Sequence, residues 1–196
     1  MNLQQRKWLF LILLSLVWGS SYILIKKALL GFQPTPLGAL RITTSSILLL
    51  IVGFSSLKKI NKNQWKYIFY TAFLGTFFPV FLFSFAVQEI DSSIASMLNS
   101  FTPFNTFIIG IMVFSFGFKK KQFIGILLGL IGTSILILKG AEMNPNQNYW
   151  FSLLAILATF GYAMNVNIVK KYLSDLDALA IITGNFLMML PPAIVV

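Results

Sequence analysis

The chain has 196 residues and a formal net charge of +10; 57% of its residues are hydrophobic and only 10% charged, for a mean hydropathy of +0.83. A soluble domain carries roughly 25% charged residues, so lipid rather than water is the expected surroundings of most of this chain. With no cysteine and no histidine, disulfides, thiolate or imidazole metal sites and imidazole bases are excluded.

Long runs free of charge predict seven membrane-spanning helices at about 8–28, 36–57, 66–88, 92–116, 122–139, 149–169 and 178–196. The first run lacks a small-residue cleavage site and leads into Lys26-Lys27, so it reads as a retained anchor rather than a signal peptide. Within it, Ser15, Gly19, Tyr22 and Lys26 recur at spacings of four, three and four, which aligns them on one helical stripe. Trp18 lies beside that stripe at mid-depth. Two readings stand for it: an aromatic cavity wall with Gly19 permitting a bend, or a small-residue packing seam. Arg41 is the one charge set clearly inside a span; it either binds an anionic group bidentately, or snorkels outward or caps carbonyls of a neighbouring helix.

The third span contains Gly75 and Pro79, which predict a bend at mid-depth. The fourth carries the most regular stripe: Ser92, Ser96, Asn99, Pro103, Thr106 and Gly110 share one face. Pro103 removes a backbone donor and frees carbonyls one turn back, so this face reads as the wall of a water-filled cavity beside a kink. In the fifth span Gly125, Gly129 and Gly132 form a glycine face, read as close helix packing. Asn165 shares a face with Gly161 in the sixth span, Asn167 points elsewhere, and Asn185 interrupts an apolar seventh span. Each asparagine reads equally as packing glue or as a substrate contact.

The stretch Trp150–Pro192 repeats the layout of Trp8–Leu50. Trp8 corresponds to Trp150, Trp18-Gly19 to Phe160-Gly161, and Lys26-Lys27 to Lys170-Lys171 after two extra residues. Internal repeats of this kind mark membrane transporters. A unit of five spans repeated in tandem sets its second copy upside down. The expected fold class is therefore an all-α membrane protein: an N-terminal segment 1–7, a complete five-helix repeat at 8–139, and the first two helices of an inverted repeat at 149–196.

The charges fit an N-terminus on the cytoplasmic side. Arg6, Lys7, Lys58, Lys59, Lys62, Lys66, Lys119, Lys120, Lys121, Lys170 and Lys171 then fall inside, against Lys26, Lys27 and Lys139 outside. This placement assigns the basic excess to topology and anionic lipid rather than to nucleic acid. No carboxylate lies between the ends of any span; Glu89 and Asp91 sit at a turn, where Asp91 or Ser92 is expected to cap the next helix. A buried acid pair for an aspartyl protease, a histidine for a rhomboid-type protease and ligands for zinc are all missing, so no enzyme and no cofactor is expected.

The series Trp18-Gly19-Ser20-Ser21-Tyr22, Lys26-Lys27-Ala28-Leu29, Pro34-Thr35-Pro36 and Leu40-Arg41 resembles the opening of the EamA-type drug/metabolite transporters. Ser92-Ser93-Ile94-Ala95-Ser96, Thr102-Pro103 and the run from Gly125 to Gly132 extend the resemblance. It implies ten helices in two inverted five-helix repeats around a central cavity, in a bacterial inner membrane, moving amino acids, nucleotide sugars, other metabolites or drugs, often outward. It also implies that Trp18, Tyr22, Ser96 and Asn99 face the cavity, with Arg41 at the family's usual arginine position; Thr183 stands opposite Arg41 in the second repeat. On this reading the partners are a small-molecule substrate and the bilayer, with homo-oligomerisation left open, and the chain is a C-terminally truncated transporter. Competing expectations are a transport-incompetent fragment and a small multidrug-type exporter acting as a dimer. The latter relies on a carboxylate in its first span, which this sequence lacks.

Overall fold

The computed structural model describes residues 2–117 and 119–196; Met1, within the expected N-terminal segment, and Phe118 lie outside the described residues. Those residues form helices and turns with no strand. Seven helical stretches are long and apolar enough to cross a membrane: Gln4–Ala28, Pro34–Lys59, Trp65–Glu89, Ser92–Met112, Lys120–Met143, Tyr149–Tyr172 and Ala178–Val195. They comprise α1 (Leu3–Ala28), α2 (Pro34–Gly53), α3 (Trp65–Ala72), α4 (Phe78–Glu89), α5 (Ser92–Asn99), α6 (Thr102–Met112), α7 (Lys120–Met143), α8 (Ser152–Tyr172) and α9 (Ala178–Val195).

Two spans are built from paired helices, each for a reason visible in the sequence. In the third, Phe73–Phe77 forms a π-helical turn between α3 and α4. Pro79 follows it within the first two positions of α4. A proline cannot donate to the preceding turn and its ring crowds the carbonyl there, so the backbone widens ahead of it. In the fourth span, α5 stops at Asn99 and α6 starts at Thr102, with Pro103 in its first turn. Ser100 and Phe101 N–H bridge the break with short bonds to Met97 and Leu98 carbonyls, at 2.9 and 3.1 Å. By contrast, α1 runs through Gly19 as one α-helix with no break at that glycine.

The fourth span ends four residues before the expected 116. Ser115 takes a positive φ of 56°, and Phe116 N–H returns to the Gly110 carbonyl at 2.9 Å. A residue in the left-handed region beyond a helix end lets the chain fold back over the last turn.

Helix α8 lies at the centre, packed against α3, α4, α5 and α6. Five of its seven buried residues are small: Ala155, Ala158, Thr159, Gly161 and Ala163. Small side chains let backbones approach closely where no hydrophobic effect separates helix from lipid. At Gly161 a Cβ would sit 2.6 Å from the Leu74 carbonyl oxygen, so only glycine fits there. Helix α9 packs on α2 and α3, with Thr183 against Gly53 and Ser46 Oγ donating to the Phe186 carbonyl at 3.0 Å. Buried asparagines tie the spans together. Asn105 Nδ2 donates to Thr159 Oγ1 at 2.7 Å, Asn167 Nδ2 to the Thr106 carbonyl at 3.0 Å, and Asn185 pairs with Thr71 Oγ1 at 2.8 Å.

One apolar cluster closes one end of the bundle. It brings together Ile25, Leu37, Phe83, Val87, Ile90, Ile94 and Leu98 from α1, α2, α4 and α5. Beside it Lys26 Nζ donates to the carbonyls of Val87, Gln88 and Ile90 at 2.7, 3.0 and 3.0 Å. Lys26 thereby caps carbonyls at the C-terminal end of α4 that have no helical partner. Asp91 caps α5 by accepting from Ser93 N–H at 2.8 Å, and its own N–H donates to Gln147 at 2.6 Å. At the opposite end Asp177 caps α9 and pairs with Lys59. Gln64 donates to Asp175 at 2.8 and 3.0 Å, while Tyr67 stacks on Tyr172 at 4.1 Å.

The glycine face of α7 does not pack as expected. A Cβ built on Gly125, Gly129 or Gly132 has no atom within 4 Å. Among the described residues α7 meets α5 and α6; of its glycines only Gly140 is close to a neighbour, where an added Cβ would lie 3.2 Å from Ile94. The row therefore has no helix packed against it among the described residues.

Candidate functional site: a cavity between the broken spans

The two breaks face one another across a cavity of about 1500 Å³. Helix α1 contributes Trp18, Gly19 and Tyr22, α2 contributes Arg41, and the π turn and α4 contribute Gly75, Pro79 and Phe83. The wall opposite is the fourth-span stripe of Ser96, Asn99, Pro103, Thr106 and Gly110, together with Ser100 and Thr102 at the break. Helix α8 adds Tyr162, Asn165 and Asn167. All six residues expected at a cavity, Trp18, Tyr22, Arg41, Ser96, Asn99 and Asn165, thus border the same space. Of the stripe, Ser92 alone lies away from it.

One end of the space meets the apolar cluster around Ile25 and Phe83, where Tyr22 sets its ring edge-on to Phe83 at 5.4 Å and Tyr162 lies 6.1 Å from Phe83. The other end reaches Lys121, Gln122, Gly117 and Lys170, all exposed. There Lys170 Nζ sits 4.2 Å above the Phe116 ring, a cation–π contact that holds the ammonium at the rim. The cavity is closed where Lys26 caps α4 and bordered by exposed lysines where α6 ends.

The polar lining is only partly satisfied from within. Ser96 Oγ donates to the Ser93 carbonyl at 2.8 Å, Thr106 Oγ1 to the Thr102 carbonyl at 2.7 Å, and Asn99 accepts from Thr102 Oγ1 at 3.1 Å. Asn165 Oδ1 and Arg41 Nη1 are buried without a hydrogen-bond partner. The Asn165 side chain lies directly against the face where Gly75 has no Cβ, so the wide π turn and the glycine together make room for it. Trp18 is 64% exposed and plugs no gap in the packing of the described residues.

Sequence reasoning missed Tyr162, Lys121 and Lys170 as lining residues. Tyr162 stands three positions before Asn165 and therefore on its face, a spacing that could have found it. The two lysines lie in runs assigned wholly to topology. Lys26 and Ser15, placed on the α1 stripe, do not border the cavity; Ser15 Oγ returns to the Leu11 carbonyl at 2.8 Å. Asn185, poised between two roles, is held in the α3–α9 contact. Among the described residues no group of three or more metal-ligating side chains occurs.

The model of the EamA-like transporter family matches residues 6–138. No curated protein and no solved structure matches the chain.

Proposed function

The chain belongs to the EamA-like transporter family, a membrane transporter type, and on that premise we propose that it is a secondary transporter exporting amino acids or other small metabolites by alternating access. The observation that carries this reading is the cavity itself. Its walls are two interrupted spans, and irregular backbone at membrane depth is tolerated only where it lines protein or water. The cavity is closed by apolar packing at one end and rimmed by exposed lysines at the other, the asymmetry of a carrier resting in one of two states.

In the proposed orientation the N-terminus is cytoplasmic, in a bacterial inner membrane, and the lysine-rimmed end faces the cytoplasm. Residues 8–139 form the first repeat, and α8 and α9 open an inverted second one. Trp18, Tyr22, Arg41, Ser96, Asn99 and Asn165 are the proposed substrate contacts. Pro79 and Pro103 are the flexing points and Gly19 a tolerant position beside them.

The absence of native cysteine allows a direct test. Asn99→Cys and Ser96→Cys should react with a membrane-impermeant thiol reagent in everted vesicles, while Leu98→Cys, only 4% exposed, should react at least ~10-fold more slowly. Equal rates at the three positions would remove the cavity from the argument. Release of metabolites to the medium by cells carrying the gene, compared with cells carrying Asn99→Trp at equal membrane abundance, tests transport. Identical release in both rejects the export reading.

A further inference from the structure

We infer that the cavity selects organic anions, with Arg41 as their counter-ion and Lys121 and Lys170 as the charges that draw them in. This inference rests on the proposed transport function and names the substrate class. Three cations border the cavity, and none of the chain's five acidic residues does. Four of those acids are engaged elsewhere: Asp91 at the α5 cap, Glu142 with Lys139, Asp175 with Gln64, and Asp177 with Lys59. Glu89 closes α4 beyond the apolar cluster.

The geometry at Arg41 removes the ordinary structural explanations. Its guanidinium makes no hydrogen bond to a carbonyl and no ion pair among the described residues, and its Nη1 is buried with no partner. Tyr22 and Tyr162 line the cavity with it, and a phenol supplies no negative charge at ordinary pH. An unpaired guanidinium at membrane depth is expensive and marks a functional partner. Its planar fork matches a carboxylate or phosphate with two parallel bonds.

The rest of the wall sets the body of the ligand. Trp18, Tyr22, Phe83, Phe107 and Tyr162 offer ring surface, so the occupant joins an anionic head to an aromatic or aliphatic part. A cationic analogue of the same shape meets three like charges and no acid to offset them, which is exclusion by repulsion rather than by size. The rim lysines act earlier, since a cleft lined by one sign of charge concentrates the opposite sign.

The test compares probes of one shape and different charge. The full chain carrying Ser100→Cys, an exposed position on the cavity wall, is labelled in detergent with a water-soluble maleimide. Indole-3-acetate, its neutral amide and tryptamine are each added in excess. Indole-3-acetate should slow labelling ~5-fold or more relative to the amide, and tryptamine should slow it least. In Arg41→Gln the acetate should lose its advantage over the amide, and Arg41→Lys should retain part of it. The comparison of probes on native Arg41 needs no folded Arg41 variant.

Tryptamine protecting as well as the acetate, or no probe protecting, overturns the anion assignment while leaving the cavity in place. Failure of Ser100→Cys to label without any probe overturns the water-filled cavity, and the transport reading with it.

Discussion

Replacing Lys26 by methionine should loosen the end of the bundle where α4 meets α5 more than any other removal of a single surface charge. The ammonium reaches three carbonyls, those of Val87, Gln88 and Ile90, at 2.7 to 3.0 Å. Two of these contacts are partly buried and the one to Gln88 is exposed, so water replaces the last at little cost. A hydrogen bond with a charged donor contributes about 1.5–3 kcal/mol. Two such bonds, discounted for partial exposure and for the freedom regained by the side chain, give a loss of roughly 2–4 kcal/mol. Lys26→Arg keeps the charge and should recover about half of it. Lys27→Met, at an exposed neighbouring position with no such carbonyls, should stay within about 0.5 kcal/mol of the parent. Thermal melts of the purified chain in one detergent, read by tryptophan fluorescence, compare the four proteins. If Lys26→Met melts with Lys27→Met, the carbonyl cradle contributes nothing and the reasoning fails.

Gly161→Ala puts a methyl 2.6 Å from the Leu74 carbonyl oxygen and should destabilise by about 1–3 kcal/mol, whereas Gly129→Ala, with nothing within 4 Å, should melt within about 0.5 kcal/mol of the parent; a large loss at Gly129 in the same detergent would reveal a partner for the α7 glycine row. Acid should weaken the cap of α5: hydrogen bonds from the side chain and backbone of Ser93, aided by Lys26, hold the Asp91 carboxyl below its usual value. Its contribution is present above the unfolded value of about 3.9 and is lost as the pH falls through the lower native value. Melting from pH 6 downward should therefore show a decline below about pH 4 that Asp91→Asn flattens; an unchanged decline in that variant assigns the acid sensitivity to other carboxyls.

The helical spans were legible because lipid imposes a simple rule: long runs without charge must be helices. The positions of the two interruptions were legible too, since Pro79 and Pro103 are local causes. Their forms were not. One proline widens a helix into a π turn and the other splits it outright, and the choice depends on what packs opposite: Asn165 and Gly161 of α8 press on the π turn, while Ser100 and Ser96 border open space. The stripe of α5 and α6 was visible as a period of three and four. The partners of Lys26 were not visible, because carbonyls carry no sequence signature and these lie 61 to 64 residues away. The glycines of α7 show the converse: a packing motif names a face, not a neighbour.

The π turn of Phe73–Phe77 amounts to a residue inserted into a regular helix. An α-helix turns 100° per residue, so excising a single position there would restore an even helix and swing everything beyond it by more than a quarter turn. Phe83 would leave the seal above the cavity, and the carbonyls of Val87, Gln88 and Ile90 would leave the reach of Lys26. The third span is therefore two separately phased segments, one packed on α9 and α8 and the other on α8, α2 and α1. In a library of single-codon deletions, positions 73–77 should be as intolerant as any buried core residue, although of the five only Thr76 is buried.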